Sequence, residues 1–188
     1  MSNLYAPKTP ETLKTLLSGT SFSVRVNGIE VNGEDEDATF RITLTVWERD
    51  RFDAAVIENL AVHDILRFGN GVAAMVLEVI PDEFGVTVKG GEEAYSFYRE
   101  EDGSYTVTTD TDYPFWTEIF TITVPLEKDV RFLDWSDPEN QGEPVQLGFD
   151  ALLDLLQADT NFSPYNTCVT FDENGKLTEF LYSYSPWN

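Results

Sequence analysis

The 188-residue chain is long enough for one medium domain, and with 41% hydrophobic and 13% aromatic residues it can bury a packed core, which excludes global disorder. Its 34 Asp and Glu against 12 Lys and Arg leave a net charge of −22. That balance excludes direct binding of DNA, RNA or anionic lipid, because phosphate contacts need cationic side chains, and it favours a basic partner.

In chain order, "TPETLKTLLSG" (9–19) predicts a short helix: Thr9 can cap it, Pro10 suits its first turn, and Leu13, Leu16 and Leu17 form one stripe ended by Gly19. In "FSVRVNGIEVNG", Phe22, Val24 and Val26 alternate, and Asn27-Gly28 predicts a type I′ hairpin turn. "NGEDED" then reads as a loop between strands, where carboxylates belong by turn chemistry. Phe40, Ile42, Leu44 and Val46 alternate with polar residues, as in a strand with one buried face. "RDRFDAAVIENLAVHD" predicts a short helix with Phe52, Ala55, Val56 and Leu60 on one side. From about Ile65 to Val107, short strands broken by "GNG", "PDEFG", "KGGEE" and "EDGS" carry the pattern of a sandwich or barrel.

"FWTEIFTITVPL" (115–126) is the longest later strand, and "RFLDWSDPENQGEPVQ" reads as an irregular acidic loop. "GFDALLDLLQAD" predicts a helix burying Phe149, Leu152, Leu153 and Leu156. "YNTCVTFDENGKLTEFLYSYSPW" predicts a closing hairpin turned at Asn174-Gly175, with Phe180, Tyr182 and Tyr184 on one face. "FDAAVIENL" and "FDALLDLLQ" echo each other, as short amphipathic helices do by chance.

Two stretches carry a resemblance. "LAVHDILRFGNGVAAMVLEV" resembles the strand entry of small β-barrel modules, with His63 where the glycine would sit. "VTFDENGKLTEFLYSYSPW" resembles the closing hairpin of uncharacterised β-rich modules in lipoproteins of Gram-positive gut bacteria. Those modules carry no assigned activity, so the resemblance implies a β-rich fold and a bacterial setting. The chain lacks a lipobox cysteine, and "SNLYAPKTPETLKTLL" lacks the basic and apolar regions of a signal peptide. The expectation is a cytoplasmic protein if Met1 is the native start, and an extracytoplasmic one if the chain is cut from something longer. No stretch is apolar enough to predict membrane insertion.

Few residues offer chemistry. Cys168 is the only cysteine, which rules out an internal disulfide, and with no basic neighbour in sequence it reads as a buried structural thiol. His63 is the only imidazole and reads as a linker residue with no ligand role. "GNG" and "KGG" match neither a P-loop nor a dinucleotide fingerprint. For calcium, an EF-hand loop begun at Asp134 fails because its sixth residue is Glu139 and its twelfth Val145. A looser cage from Asp134, Asp137, Glu139 and Glu143 is the candidate metal site, set against a solvated acidic loop, the preferred reading. Trp47, Trp116, Trp135 and Trp187 could form a sugar platform, although strand aromatics are usually core.

The acids are the main signal. Seven carboxylates and no base lie between Arg99 and Lys128, and nine with no base between Arg131 and Lys176. The expected fold is one β-rich α+β domain, with a subdivision considered near 110–114. It comprises an antiparallel sheet system, sandwich or partly open barrel, with three short peripheral helices. The expected function is non-enzymatic and needs no cofactor: an acidic surface binding a basic protein, such as a nuclease or other nucleic-acid-binding protein that a bacterial or phage inhibitor would occlude by mimicking DNA. The partner-binding candidates are Glu34, Asp35, Glu36 and Asp37, then Glu100, Glu101 and Asp102, with Asp110 and Asp112. The alternatives are an extracytoplasmic ligand- or calcium-binding module and a carbohydrate-active enzyme with a carboxylate pair.

Overall fold

The computed structural model describes residues 3–7, 21–34, 37–140 and 142–186. In chain order the elements are β1 (Leu4–Tyr5), β2 (Ser21–Asn32), β3 (Thr39–Arg49), β4 (Arg51–Phe52), α1 (Ala54–Ile57), β5 (Ile65–Arg67), β6 (Ala73–Met75), β7 (Glu78–Pro81) and β8 (Gly85–Gly90). There follow β9 (Glu93–Arg99), β10 (Tyr105–Thr109), β11 (Trp116–Pro125), β12 (Arg131–Trp135), β13 (Val145–Leu147), α2 (Phe149–Gln157), β14 (Thr167–Phe171) and β15 (Leu177–Ser183). The protein is β-rich, its strand pairs are mainly antiparallel, and two helices lie among the described residues. The helix expected at 9–19 lies outside the described residues.

The described residues fall into two compact units, the first made of residues 3–7 and 48–118 and the second of residues 21–47 and 119 onward. The subdivision expected near 110–114 falls inside the first unit. That unit holds a three-stranded sheet, β1-β5-β6, and a five-stranded sheet, β4-β10-β9-β8-β7. Both sheets feed one core: Leu66 and Ala74 come from the smaller sheet, Phe52, Val88, Tyr95, Phe97 and Val107 from the larger. Alternation along β8 and β9 puts Val86, Val88, Tyr95 and Phe97 inward, as a period of two requires. The helix expected after Phe52 shrinks to the four residues of α1, where Ile57 is buried and Ala55 exposed. Phe52 belongs to β4, which pairs with β10.

The second unit is built on a seven-stranded sheet, β11-β3-β2-β14-β15-β12-β13. Ile42, Leu44 and Val46 of β3 are fully buried with Val24, Val169 and Phe180, and α2 covers this core with Leu152 and Leu156. Phe149 and Leu153, expected to be buried, are half-buried. Threonines link β3 to β11 by hydroxyl bonds, Thr43 to Thr123 at 2.8 Å and Thr45 to Thr121 at 2.9 Å.

Asn27-Gly28 is not a hairpin turn. β2 runs straight through it, pairing with β3 on both sides, and a bulge lies between Val26 and Gly28. Asn27 donates from Nδ2 to Thr45 Oγ1 at 2.8 Å. The extra residue switches the inward phase: Val24 and Val26 pack on the core before it, Ile29 after it. The real turn is the one at "NGEDED", with Gly33 at φ +93° and Asn32 opposite Thr39. Asn174-Gly175 turns β14 into β15 as expected, with Gly175 at φ +77°. The stretch expected to be an irregular loop after Arg131 supplies β12 and β13, leaving Ser136–Pro144 as the connection. β12 also pairs in parallel with β15.

Candidate functional site

The partner-binding candidates sit on three turns. Glu34 and Asp37 are exposed in the β2–β3 turn of the second unit, while Asp35 and Glu36 lie outside the described residues. Glu100, Glu101 and Asp102 form the β9–β10 turn of the first unit, and Asp110 and Asp112 follow β10 at its other end. The five residues of β10 separate these two groups by about 16 Å, so they do not form one patch. Glu100 is half-buried and accepts from Thr106 Oγ1 at 2.7 Å. Asp102 accepts from the Ser104 N–H at 2.8 Å and Oγ at 2.6 Å, and pairs with Arg51 at 3.3 Å. Glu100 and Asp102 therefore hold their own turn; Asp102 is nevertheless exposed, as are Glu101, Asp110 and Asp112. Asp112 adopts φ +60°, which Asp tolerates better than most residues.

The metal candidates come together more closely. Asp134 Oδ1 accepts from the Ser136 N–H and Asp137 Oδ1 from the Glu139 N–H, both at 2.9 Å, so each acid folds the chain back on itself. Trp135 Nε1 donates to the Asn140 carbonyl at 3.0 Å, and Asn140 Oδ1 accepts from the Gly142 N–H at 3.0 Å. This loop borders two surface concavities. One, of about 630 Å³, is lined by Asp134, Asp137, Glu139 and Glu143 beside Val145 and Leu147. The other, of about 360 Å³, is lined by Trp135, Pro138, Leu181 and Tyr184, and shares Asp137 and Asn140 with the first. Among the described residues no group of three His, Cys, Asp or Glu is close enough to hold a metal ion. Burial, and then the charge of Asp134 opposite it in register, push the Tyr182 phenol up.

Tyr184, Leu181 and Val145 were not candidates in the sequence reading. Only the parallel pairing of β12 with β15 brings Tyr184 to Trp135, whose carbonyl accepts the Tyr184 N–H at 3.0 Å. Of the four tryptophans proposed as a platform, Trp135 is 40% exposed and lines a concavity. Trp47 and Trp116 are half-buried, and Trp187 lies outside the described residues.

Cys168 is half-buried, and burial followed by the Glu179 charge pushes its thiol up, away from a reactive thiolate. His63 occupies an exposed turn at φ +78°, and its N–H donates to the Val76 carbonyl at 2.7 Å. Its neighbour Asp64 is buried, and bonds from the Asn3 and Ala61 N–H groups hold its carboxyl below the ordinary range.

Asp50 has no local sequence signal that sets it apart from the other acids, yet it is 1% exposed. Its carboxylate accepts from Thr117 Oγ1 at 2.6 Å and from the Gly69 N–H, tying the loop after β5 to the start of β11 within the first unit. Burial pushes this carboxyl up, and the bonds from Thr117 and Gly69 oppose the shift. A folded-state value raised above the unfolded one stabilises below the ordinary carboxylate range, about pH 4, and that contribution is lost as pH rises through the folded value. In Asp50→Asn the amide oxygen can accept from the Gly69 N–H while the amide nitrogen donates to Thr117 Oγ1, which keeps both contacts without a charge. The expected result is a flatter stability–pH profile than wild type between about pH 4 and pH 7, with no loss of midpoint at neutral pH. Urea melts across that range check it. A variant that loses more stability at neutral pH than in acid would show that the bonds, not burial, dominate.

No family model matches the chain, and no curated protein and no solved structure is similar to it. Among the described residues no helix is long and apolar enough to cross a membrane.

Proposed function

We propose that this is a non-enzymatic binding protein whose acidic surface engages a basic partner protein. In its sharper form, the partner is a bacterial nuclease or other nucleic-acid-binding protein, and the chain is a bacterial or phage inhibitor that fills the cationic groove kept for phosphates. The mechanism is occlusion: carboxylates held on hairpin turns imitate part of the attraction that phosphates exert, without the flexibility of a disordered acidic tail.

The observation that carries this reading is the exposure of unneutralised acid on short turns. Glu34, Asp37, Glu101, Asp110 and Asp112 are exposed at strand ends, within a chain of net charge −22. Several cations are already taken up by local ion pairs: Lys89 with Glu78 at 2.7 Å, Arg131 with Glu179 at 2.6 Å and Lys176 with Asp129 at 2.7 Å.

The test is competition with duplex DNA for a panel of restriction and RNA-guided nucleases. Binding should weaken at least about tenfold between roughly 50 and 300 mM salt, because the attraction is screened. Reversing Glu34, Asp35, Glu36 and Asp37 to Lys should weaken it by about the same factor or more. Unchanged affinity in that variant would remove the β2–β3 turn from the interface. A protein that ignores every basic macromolecule in dilute buffer and holds a neutral compound tightly would end the proposal.

A further inference from the structure

We infer that the cleft between Trp135 and Tyr184 is the anchor of such an interaction and takes an arginine side chain of the basic partner. This rests on the reading of the chain as a binder of basic proteins, and it adds a position and a chemical group. Charge alone gives long-range attraction; affinity in protein interfaces concentrates in a few desolvated, aromatic-rich anchors.

The cleft is built, and its occupant can be argued from its walls. Trp135 is fixed at its polar edge by the Nε1 bond to the Asn140 carbonyl, yet remains 40% exposed. Tyr184 is 55% exposed and is held beside it by the bond from its N–H to the Trp135 carbonyl. Leu181 and Pro138 supply apolar wall, and Asp137 lies on the boundary with the neighbouring concavity that Asp134, Glu139 and Glu143 line. The stretch from 132 to 175 contains no Lys or Arg, so no cation in the loop answers these four carboxylates, and Arg131 at its edge is paired with Glu179.

An aromatic cleft by itself suits a sugar or an apolar side chain. A cleft with one acid in its wall, Asp137, and three more in the adjoining concavity favours a cation that can also stack. Guanidinium does both: its plane lies on an aromatic face while its N–H fork bonds a carboxylate. An ammonium offers a compact, strongly hydrated charge and gains less from the rings. The cleft therefore suits arginine over lysine.

The experiment uses the full chain and two fluorescent peptides of equal length and charge, one of arginines and one of lysines, each alternating with glycine. Affinities are read by anisotropy at low salt and at about 150 mM salt, where diffuse attraction is largely screened. The arginine peptide should bind more tightly than the lysine peptide. Tyr184→Ala and Trp135→Leu should each weaken the arginine peptide about fivefold, while Phe84→Ala, at an exposed aromatic that does not line the cleft, should leave its affinity and the arginine preference intact. Trp135→Leu removes the bond to Asn140 and so could disturb the loop. Tyr184→Ala keeps the backbone bond to the Trp135 carbonyl and serves as the second variant, its fold checked by circular dichroism. Binding that persists with equal affinity in both cleft variants, or without preference for arginine, overturns the anchor and leaves the acidic-surface reading standing. Failure of both peptides to bind at low salt overturns both. A neutral oligosaccharide that binds in competition with the arginine peptide reassigns the cleft to sugar and overturns the inference.

Discussion

Phe68→Ala should cost the first unit about 4 kcal/mol, enough to leave it marginally folded or unfolded. Phe68 is 1% exposed, and its ring lies 4.3 Å from that of Phe115 at 20°, 4.8 Å from Tyr95, and edge-on to Phe52 at 6.2 Å. These partners come from β4, β9 and the approach to β11, so the ring joins segments that are remote in sequence. Removing it forfeits the transfer free energy of a buried aromatic and leaves a cavity walled by the rings of Phe52, Tyr95 and Phe115, which the dense packing around them keeps from collapsing far. With a urea slope of about 2 kcal/mol per molar for a chain of this size, the midpoint should fall by about 2 M. A fall of under about 0.5 M would mean that the cluster is loosely packed.

Gly85→Ala is the second large effect, at about 3 kcal/mol, by a different mechanism. A β-carbon at Gly85 would lie inside the contact distance of the Phe97 carbonyl oxygen, 2.9 Å from that carbonyl's carbon and 3.3 Å from the Tyr98 Cα. All three belong to the backbone of β9, the central strand of the five-stranded sheet, so no side chain can swing aside. The strands must part, and the start of the β8–β9 ladder goes with them. Gly28→Ala is the matched control, because nothing lies within 4 Å of its β-carbon position. Thermal or urea melts of the two variants separate the mechanisms: comparable losses at both sites would point to glycine's backbone freedom, and not to the close approach, as the cause.

Much of the β framework was legible because its signals are local. Alternation from Phe40 to Val46 marked β3, the Asn174-Gly175 turn marked the last hairpin, and the apolar spacing in 149–157 marked α2. Asn27-Gly28 misled for a physical reason. A change of inward phase within a run of alternating residues is what both a tight turn and a bulge produce, and only the partner strand distinguishes them. β3 is 11 residues long and pairs with both halves of β2, which keeps the strand continuous. Asp50 was invisible because its partners, Gly69 and Thr117, lie 19 and 67 residues away. In sequence it is one more acid among 34.

From its residues alone, then, the chain was bound to be β-rich and strongly acidic, since composition, alternation and turn chemistry act over a few neighbours. Register and long-range pairing decided the rest. The parallel alignment of β12 with β15 set Tyr184 beside Trp135 and next to the acids of 134–143, and the length of β10 kept the two acidic turns of the first unit apart. Such juxtapositions depend on which strands share a ladder, and that is settled by how the whole core closes.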